Sequence, residues 1–404
     1  MTTMTTKPAT RQDAGGPAEP GSLPVSGIVD ARGSHAFVRV FGYRRSRDDC
    51  YLPQACLRDY QLRTGDQIDG AARPGQNSGA QRTRPERKDA ASIVLDRVNT
   101  VNGLLPKQTA TRRHFDDLVP VYPSERLQLE SGPARATARI IDLVSPIGKG
   151  QRGLIVSAPK AGKTMMLAAI ASAIAAGHPE VHLMVVLVGE RPEEVTDLKR
   201  TVPGEVIYST FDQSHDDHIM VAELAIERAK RLVELGADVV VLLDSITRLG
   251  RAYNLAAPSG GHMLAGGVSA AALQPPRQFL GAARNIEEGG SLTIVSTALV
   301  DTGSRMDDVF FEEFKGTGNM EVRLRRDLAE KRIFPAIDLG PTGTRRDELL
   351  MPPAEHNAVD SLRRALLSLD GQQAIELLLD KVAQTSTNHE FLQEVRQNTR
   401  PKAR

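Results

Sequence analysis

The segment with the most specific chemical signal is SAPKAGKT, at residues 157–164, which ends in the Gly-Lys-Thr triplet of phosphate-binding loops. Backbone amides at a helix start can cradle phosphate, the Lys163 ammonium can reach the terminal phosphates, and the Thr164 hydroxyl can hold magnesium. Ser157 stands where the generic pattern has its first glycine. Because an apolar run precedes the loop and an Ala-rich run follows it, the sequence predicts a nucleoside triphosphate site rather than a chance turn.

Two acidic residues are predicted to complete a hydrolysis site. Asp244 ends the apolar run 238–243, where a carboxylate is placed to support a magnesium ion opposite the loop lysine. Glu190 follows the run that ends at Val188 and can polarise an attacking water, since phosphoryl transfer depends on positioning and charge stabilisation. Taken alone, Asp244 is better explained as an ordinary strand end, and only its pairing with the phosphate loop favours the metal role. Glu190 taken alone is equally a helix-start residue before Pro192.

Apolar runs that alternate with helical patterns must position these residues. The runs are nearly uniformly apolar and rich in Val and Ile, and they cover residues 153–156, 181–188, 205–211, 238–243 and 291–298. Such runs are typical of strands buried on both faces. Helices are predicted between them over 164–176 and 218–235, each closed by a glycine. The alternation predicts an α/β fold with a parallel sheet covered by helices on both faces.

The remaining segments predict the domain organisation. Residues 1–21 are rich in Thr, Ala, Pro and Gly and are predicted to be a disordered tail. Short alternating segments with turn residues predict a small β-barrel of the OB-fold type at 22–102. A Pro- and Gly-punctuated connector at 103–139 precedes the ATPase domain at 140–353. Helical spacing after residue 354 predicts a helical cap on the last strands, with a basic tail, at 354–404.

One strand of the predicted barrel has an alternating pattern that suits nucleic acid. Its predicted core residues are Ala36, Val38 and Val40, and the residues on its other face are His35, Phe37, Arg39 and Phe41. Rings beside a guanidinium suit single-stranded binding, in which each stacked base contributes roughly 1 to 3 kcal/mol. A strand buried on both faces is the open alternative. The basic segment Arg82, Arg84, Arg87 and Lys88 suits phosphates, or is only a solvated loop.

Seven segments in order resemble the transcription termination factor Rho family, and the resemblance runs from about Val25 to the end. The segments are residues 146–153, 159–164, 190–196, 243–248, 281–285, 313–320 and 330–336. The resemblance implies a hexameric ring of RecA-like ATPase domains with ATP and Mg²⁺ bound between neighbours and RNA threaded through the centre. It also implies 5′ to 3′ translocation on RNA, separation of RNA–DNA hybrids, and RNA polymerase as a partner.

The same resemblance assigns roles to individual positions. For the nucleotide it implies contacts at Pro159, Lys160, Ala161, Gly162, Lys163, Thr164 and Met165, with Asp244 at the metal, Glu190 activating water, and Phe334 stacking on adenine. It matches Arg345 to an arginine finger from a neighbouring subunit, and Arg191 and Arg248 to residues that couple nucleotide state to RNA. For RNA it implies His35, Phe37, Arg39, Asp49, Glu86 and Arg87 in the barrel, preferring pyrimidines, and His262 and Arg305 in two loops at 258–267 and 301–305.

The chain departs from the family pattern at several of these places. His35 stands where many relatives have Phe, Lys88 where an aromatic is frequent, and His262 where Lys is common. Ser269 replaces a common acid, and Gly189 precedes Glu190 where relatives usually have Asp, which predicts slower turnover without loss of ATP binding. A nucleotide-binding RNA regulator with weak or no hydrolysis is therefore the alternative function. A strand-exchange or rotary ATP synthase ring is disfavoured by the aromatic and basic barrel.

Composition narrows the class of protein further. The 404 residues carry 51 Lys and Arg against 50 Asp and Glu, so any affinity for nucleic acid must come from local patches. The two cysteines, Cys50 and Cys56, have no ligand-spaced partners and are expected to be structural or incidental thiols. No apolar run approaches the length of a membrane span and no signal pattern is visible, so a cytoplasmic protein without a membrane partner is expected.

Overall fold

The computed structural model describes residues 22–33, 35–75, 93–131, 135–258 and 262–399. The predicted tail at 1–21, Arg82, Arg84, Glu86, Arg87, Lys88 and the last basic residues lie outside these ranges. The chain divides into two compact units, one with Met1–Phe41 and Ser46–Thr111, the other with Gly42–Arg45 and Arg112–Arg404.

The first unit is a closed barrel with strand order β1-β2-β3-β5-β4, which confirms the predicted barrel. The strands are β1 Leu23–Arg32, β2 His35–Arg39, β3 Cys50–Tyr51, β4 Gln67–Pro74 and β5 Ile93–Val101, and the helices are α1 Gln54–Asp59 and α2 Pro106–Thr109. Ala36 and Val38 are fully buried in its core, as predicted, while Val40 packs against that core beyond the end of β2. Cys50 and Cys56 are free thiols, and burial raises the pKa of Cys50 to about 12.

The second unit is built on a twisted sheet with strand order β16-β15-β7-β14-β10-β8-β9. The strands of the whole second unit, inside and outside this sheet, are β6 Pro120–Val121, β7 Arg152–Ser157, β8 His182–Glu190, β9 Glu205–Thr210, β10 Asp238–Asp244, β11 Met263–Leu264, β12 Val268–Ser269, β13 Arg284–Ile286, β14 Ser291–Leu299, β15 Met320–Leu324 and β16 Ile337–Thr344. The run from β15 to β9 is parallel, so the predicted parallel sheet is confirmed, and β16 is antiparallel to β15. Sequence periodicity missed β15 and β16 because both mix polar with apolar residues.

Helices cover this sheet and cap its end. They are α3 Arg135–Val144, α4 Lys163–Gly177, α5 Pro192–Thr201, α6 His215–Val233, α7 Ile246–Ala256, α8 Ala270–Gly281, α9 Arg305–Thr317, α10 Arg326–Glu330, α11 Pro353–Leu367, α12 Gly371–Ala383 and α13 Asn388–Thr399. The last three pack together, and α11 and α12 also contact α3 and β16, which confirms the predicted helical cap. Among the described residues, none of these helices has the length and apolarity to cross a bilayer.

The stretch predicted to be a connector, 103–139, contains helical residues near both of its ends. Its first residues include α2, which packs on β5 of the barrel unit. Its last residues begin α3, so the predicted boundary between 139 and 140 falls inside a helix. The reason is packing: Ala138, Ile140 and Ile141 are all fully buried in the core of the second unit.

The sheet has two edges with different chemistry. The strands β7, β8 and β10 end at Ser157, Glu190 and Asp244, so these residues meet at the carboxyl edge, where ligands bind in open α/β sheets. Thr344 ends β16 opposite Met320, which in turn pairs with Gly153 near the start of β7. Arg345 therefore follows β16 at the opposite, amino edge of the sheet.

Candidate functional site

The phosphate-binding loop joins β7 to α4. Gly162 precedes the helix with φ of 98°, a left-handed conformation that favours glycine. A Cβ at Gly162 would lie 3.4 Å from the Phe334 ring, so the half-buried Phe334 lies against the loop. The exposed loop residues are Pro159, Lys160 and Met165, while Ala161 is buried. The first turn of α4 thus directs its backbone N–H groups into a space bordered by an aromatic ring.

Lys163 joins the two predicted acids in one cluster. Its Nζ lies 3.0 Å from Glu190 Oε1 and 2.5 Å from Asp244 Oδ1. The same Asp244 oxygen accepts a hydrogen bond from Thr297 Oγ1 at 2.8 Å. Two strand ends and a helix start therefore bring together a lysine and two carboxylates from residues that are far apart in the chain. Thr297 was missed from the sequence, because it lies within an apolar run without a motif of its own.

Glu190 is placed to act as a base. Burial and the neighbouring Asp244 carboxylate raise the pKa of Glu190 to about 7, against the opposing effects of Lys163 and Arg248. The Arg248 guanidinium lies 3.2 Å from Glu190 Oε2 and also donates to the Gly189 carbonyl. A carboxylate with a pKa near neutrality can take a proton from water and release it again.

Gly189 has a backbone conformation that few other residues adopt. Its φ is 67°, and the pairing of β8 with β9 is irregular between Val188 and Glu190. A Cβ at Gly189 would lie 3.5 Å from Arg248 Cδ and 3.7 Å from His218 Nε2, which are ordinary contacts. Buried His218, a neighbour that the sequence gave no means to find, shares a 2.6 Å hydrogen bond with Ser209. Glu190 thus follows a turn whose shape depends on glycine or on a residue that tolerates φ > 0.

Arg345 lies at the amino edge of the sheet, beside Arg152, and not at the carboxyl edge with the phosphate-binding loop. Its backbone N–H donates to the Asn319 carbonyl at 2.8 Å, and the Asn319 side chain accepts the Arg152 N–H at 2.9 Å. The Arg345 side chain is exposed. The six residues of β7 separate this edge from the loop by about 16 Å at the usual rise of a strand. Arg345 is therefore too far away to reach the phosphate-binding loop of its own chain.

The predicted magnesium ligands supply oxygen atoms. Thr164 lies in the first turn of α4, and Asp244 ends β10 at the same edge. Within the described ranges, no group of three or more His, Cys, Asp or Glu side chains could hold a metal alone. This donor set fits Mg²⁺, which binds through one or two protein oxygens together with water and substrate phosphates. Arg191, which the family resemblance matches to a residue coupling nucleotide state to RNA, is exposed at the start of α5.

The barrel residues predicted to bind RNA are found in two environments. His35 is exposed, and Phe37 is half-buried with its ring edge-on to Tyr51 at 5.9 Å. Arg39 was expected on an exposed face but is only 7% exposed. Its guanidinium pairs with Asp30, donates to Asp49 at 2.5 Å, and lies 5.2 Å from the centre of the Phe37 ring. The guanidinium is buried because two carboxylates compensate its charge, a pairing that strand alternation could not reveal.

The two predicted inner loops touch each other. β11 and β12 pair as a small hairpin, and His262 is exposed just before it. Gly266 has φ of 71°, and a Cβ there would lie 2.7 Å from the Arg305 carbonyl oxygen. Asn254 on α7 donates to the Gly267 carbonyl and accepts the Ser269 N–H at 2.7 Å. Exposed Arg305 therefore begins α9 directly beside the hairpin, with residues 259–261 outside the described ranges.

Comparisons with known families match both units. Residues 25–107 match the Rho termination factor RNA-binding domain, and residues 137–342 match the nucleotide-binding domain of the ATP synthase alpha/beta family. The fold is similar to an ATPase from the type III secretion system of pathogenic bacteria, with TM-score 0.59 and 21% identity over 70% of this chain and 87% of that one. An ATP synthase subunit from Nanoarcheaum equitans has TM-score 0.53 and 17% identity over 72% and 79%. The second unit is therefore a RecA-like nucleotide-binding domain.

Curated proteins related by sequence match this chain at much higher identity than these solved structures. The chain is 58% identical to transcription termination factor Rho of Streptomyces lividans over 93% of this chain and 52% of that protein. For Rho of Micrococcus luteus the identity is 57%, over 93% and 54%. It thus spans about half the length of these two relatives. With Rho of Streptosporangium roseum it shares 55% identity over 93% of each chain. Seven motif blocks, both domain matches and these identities agree, and the chain belongs to the transcription termination factor Rho family.

Proposed function

We propose that this chain is an RNA-dependent ATPase that works as a homohexameric ring, moves 5′ to 3′ along nascent RNA, separates RNA–DNA hybrids and ends transcription. The observation that carries the proposal is the cluster of Lys163, Glu190 and Asp244 at one sheet edge, with Arg345 exposed at the other. A site split between opposite edges is completed when copies associate head to tail, an arrangement that forms a ring when the rotation between copies closes. The relatives' name supports RNA polymerase as a partner and a cytoplasmic location, where transcripts are made.

In the proposed reaction Lys163 exchanges its two carboxylate partners for the terminal phosphates of ATP. This exchange frees Glu190 to orient a water and accept its proton, while Arg248 keeps the carboxylate in place through its 3.2 Å contact. Arg345 of a neighbouring copy stabilises the charge that develops on the transferred phosphate. Thr164 and Asp244 would hold Mg²⁺, which would supply positive charge against the phosphates. Phe334 would stack on the adenine.

RNA is proposed to bind first at the barrel and then at the inner loops. The half-buried Phe37 ring offers a face for stacking, and exposed His35 lies at the start of the same strand. The Arg39 guanidinium lies against the Phe37 ring and pairs with Asp49. Arg39 and Asp49 would therefore hold the ring in position, and Arg39 would not act as a free cation. His262 and Arg305 supply positive or polar groups at the touching inner loops. Glu86 and Arg87 are retained as proposed contacts from the family resemblance.

The experiment that tests this function is ATP hydrolysis with and without pyrimidine-rich single-stranded RNA. We expect RNA to stimulate the wild type, and Lys163→Ala and Glu190→Ala to abolish hydrolysis in both conditions. Glu190→Ala should still bind a fluorescent ATP analogue, because the phosphate loop is intact.

A second candidate is an ATP-binding RNA regulator with weak or no hydrolysis. Gly189 favours it, since the residue before the catalytic carboxylate has φ of 67° and no side chain to restrain the turn. Nucleotide binding without RNA-stimulated hydrolysis would refute the motor and support the regulator.

A further inference from the structure

A large groove opens at the amino edge of the second unit. Its volume is about 1020 Å³, and its walls are α8, the end of α9, the start of β13 and the segment around Phe115. Four cations line it, namely Arg152, Lys230, Arg277 and Arg284, against two carboxylates, Asp116 and Glu313. The groove therefore has a positive excess, and it is not part of the nucleotide site.

Two of these cations have no carboxylate partner among the described residues. Arg152 donates to the carbonyls of Thr317 at 3.1 Å and Ala283 at 3.2 Å. Arg284 donates to the Ala282 carbonyl, and its guanidinium lies 4.6 Å from the centre of the Phe115 ring. Burial, with Arg284 and Arg345 as neighbouring cations, lowers the pKa of Arg152. Clustered, partly buried guanidiniums without a counter-charge are unfavourable, so an anionic group from outside the chain would stabilise them.

Asn319 links this groove to the arginine finger. Its carbonyl accepts the Arg345 N–H, and its side chain accepts the Arg152 N–H. If Arg345 reaches the nucleotide of a neighbouring copy, the groove beside it faces whatever surrounds that nucleotide. Helix α5 is such an element, because it begins at Pro192, two residues after Glu190.

Helix α5 carries the complementary charge. Glu193 and Asp197 are both exposed, and neither side chain has an ion-pair partner in the described part of the chain. Their spacing of four residues places them on one face of the helix. Two carboxylates on one helix face match two uncompensated guanidiniums in a groove that is wide enough for side chains from a helix.

We propose that the groove is a docking surface for a second copy of this chain, whose α5 places Glu193 and Asp197 against Arg284 and Arg152. The inference rests on the proposed ring and names the contact that seats each subunit beside its neighbour's nucleotide. Close charge pairs across an interface contribute to both affinity and register. The contact would hold Arg345 in line with the phosphates rather than take part in the reaction.

Charge reversal in the full chain tests the pairing. Arg284→Glu and Glu193→Arg are each expected to raise the ring's subunit dissociation constant at least about tenfold, measured by sedimentation over a dilution series. Combined in one chain, they are expected to return it to within about threefold of wild type, because each interface then regains opposite charges. Arg364→Glu, an exposed arginine on α11, is the control for charge alone and should change nothing.

Two results would overturn the inference: single reversals that leave assembly unchanged, or a double variant as weak as the two losses combined. Arg284→Gln, with thermal unfolding of each variant, separates loss of pairing from loss of folding, since the neutral variant should weaken the ring less than Arg284→Glu. Failure of the proposed function is distinct, because it would show as a wild type that forms no ring or as an Arg345→Ala variant with full hydrolysis.

Discussion

A mixture of two inactive variants should hydrolyse ATP if Arg345 acts on a neighbour. Lys163→Ala removes the phosphate contact, and Arg345→Ala removes a charge that such fingers use to raise rates by about 10³ to 10⁵. Because β7 separates the two edges by about 16 Å, neither defect can be corrected within one chain. In rings formed from equal amounts of both variants, about one quarter of the interfaces join an intact loop to an intact arginine.

The assay is steady-state release of phosphate from ATP with saturating RNA, after the variants are dissociated, mixed and reassembled. We expect up to about a quarter of wild-type activity from the mixture, and none above background from either variant alone. Native mass spectrometry confirms that mixed rings have formed. The reasoning is refuted if confirmed mixed rings show no gain over the separate variants, since an arginine that acts within its own chain gives no complementation. A mixture of Lys163→Ala with Glu190→Ala is the matched control, because both residues belong to the same half of the site.

Three further perturbations have defined outcomes. Phe37→Ala should weaken single-stranded RNA binding about 5- to 150-fold by fluorescence anisotropy, without changing basal ATP hydrolysis; equal affinity would remove this ring from the RNA path. Gly189→Asp should raise turnover at constant ATP affinity, because its carboxylate would draw Arg248 away from Glu190. Gly189→Ala requires the same φ of 67° but adds no charge, so it should lower the free energy of unfolding by about 1 kcal/mol and leave turnover unchanged. Burial raises the pKa of Asp142 from 3.8 to about 7, so the folded state binds the extra proton and stability should fall as pH rises from about 4 to 7. Asp142→Asn should flatten this decline in a calorimetric series, and an equal slope in both proteins would contradict it.

Much of the nucleotide site could be predicted from the sequence because its residues follow local rules. A strand, a glycine-containing loop and a helix are adjacent in the chain, so Lys163 and Thr164 are recognised by spacing alone. Asp244 and Glu190 end apolar runs, and the ends of parallel strands meet at one edge whatever the loops between them. These expectations needed no knowledge of packing, and the contacts of Lys163 agree with them.

The same rules could not predict which charges neutralise each other. Alternation placed Arg39 on an exposed face, yet Asp30 and Asp49 come from other parts of the barrel and bury it. The left-handed φ of Gly189 and its neighbour His218 depend on how β8 pairs with β9. No periodicity in a single chain encodes these long-range pairings.

Motifs and apolar runs are local features of the sequence, so the sequence alone was enough to predict a phosphate-binding loop at one end of a parallel sheet and a resemblance to the Rho family. The positions of the charges relative to one another follow from the packing of the chain. The antiparallel pairing of β16 moves Arg345 to the edge opposite the loop, and Asn319 places it beside Arg152 above an uncompensated basic groove. The distance between the phosphate-binding loop and Arg345 depends on sheet order and strand direction, which are properties of the packed chain.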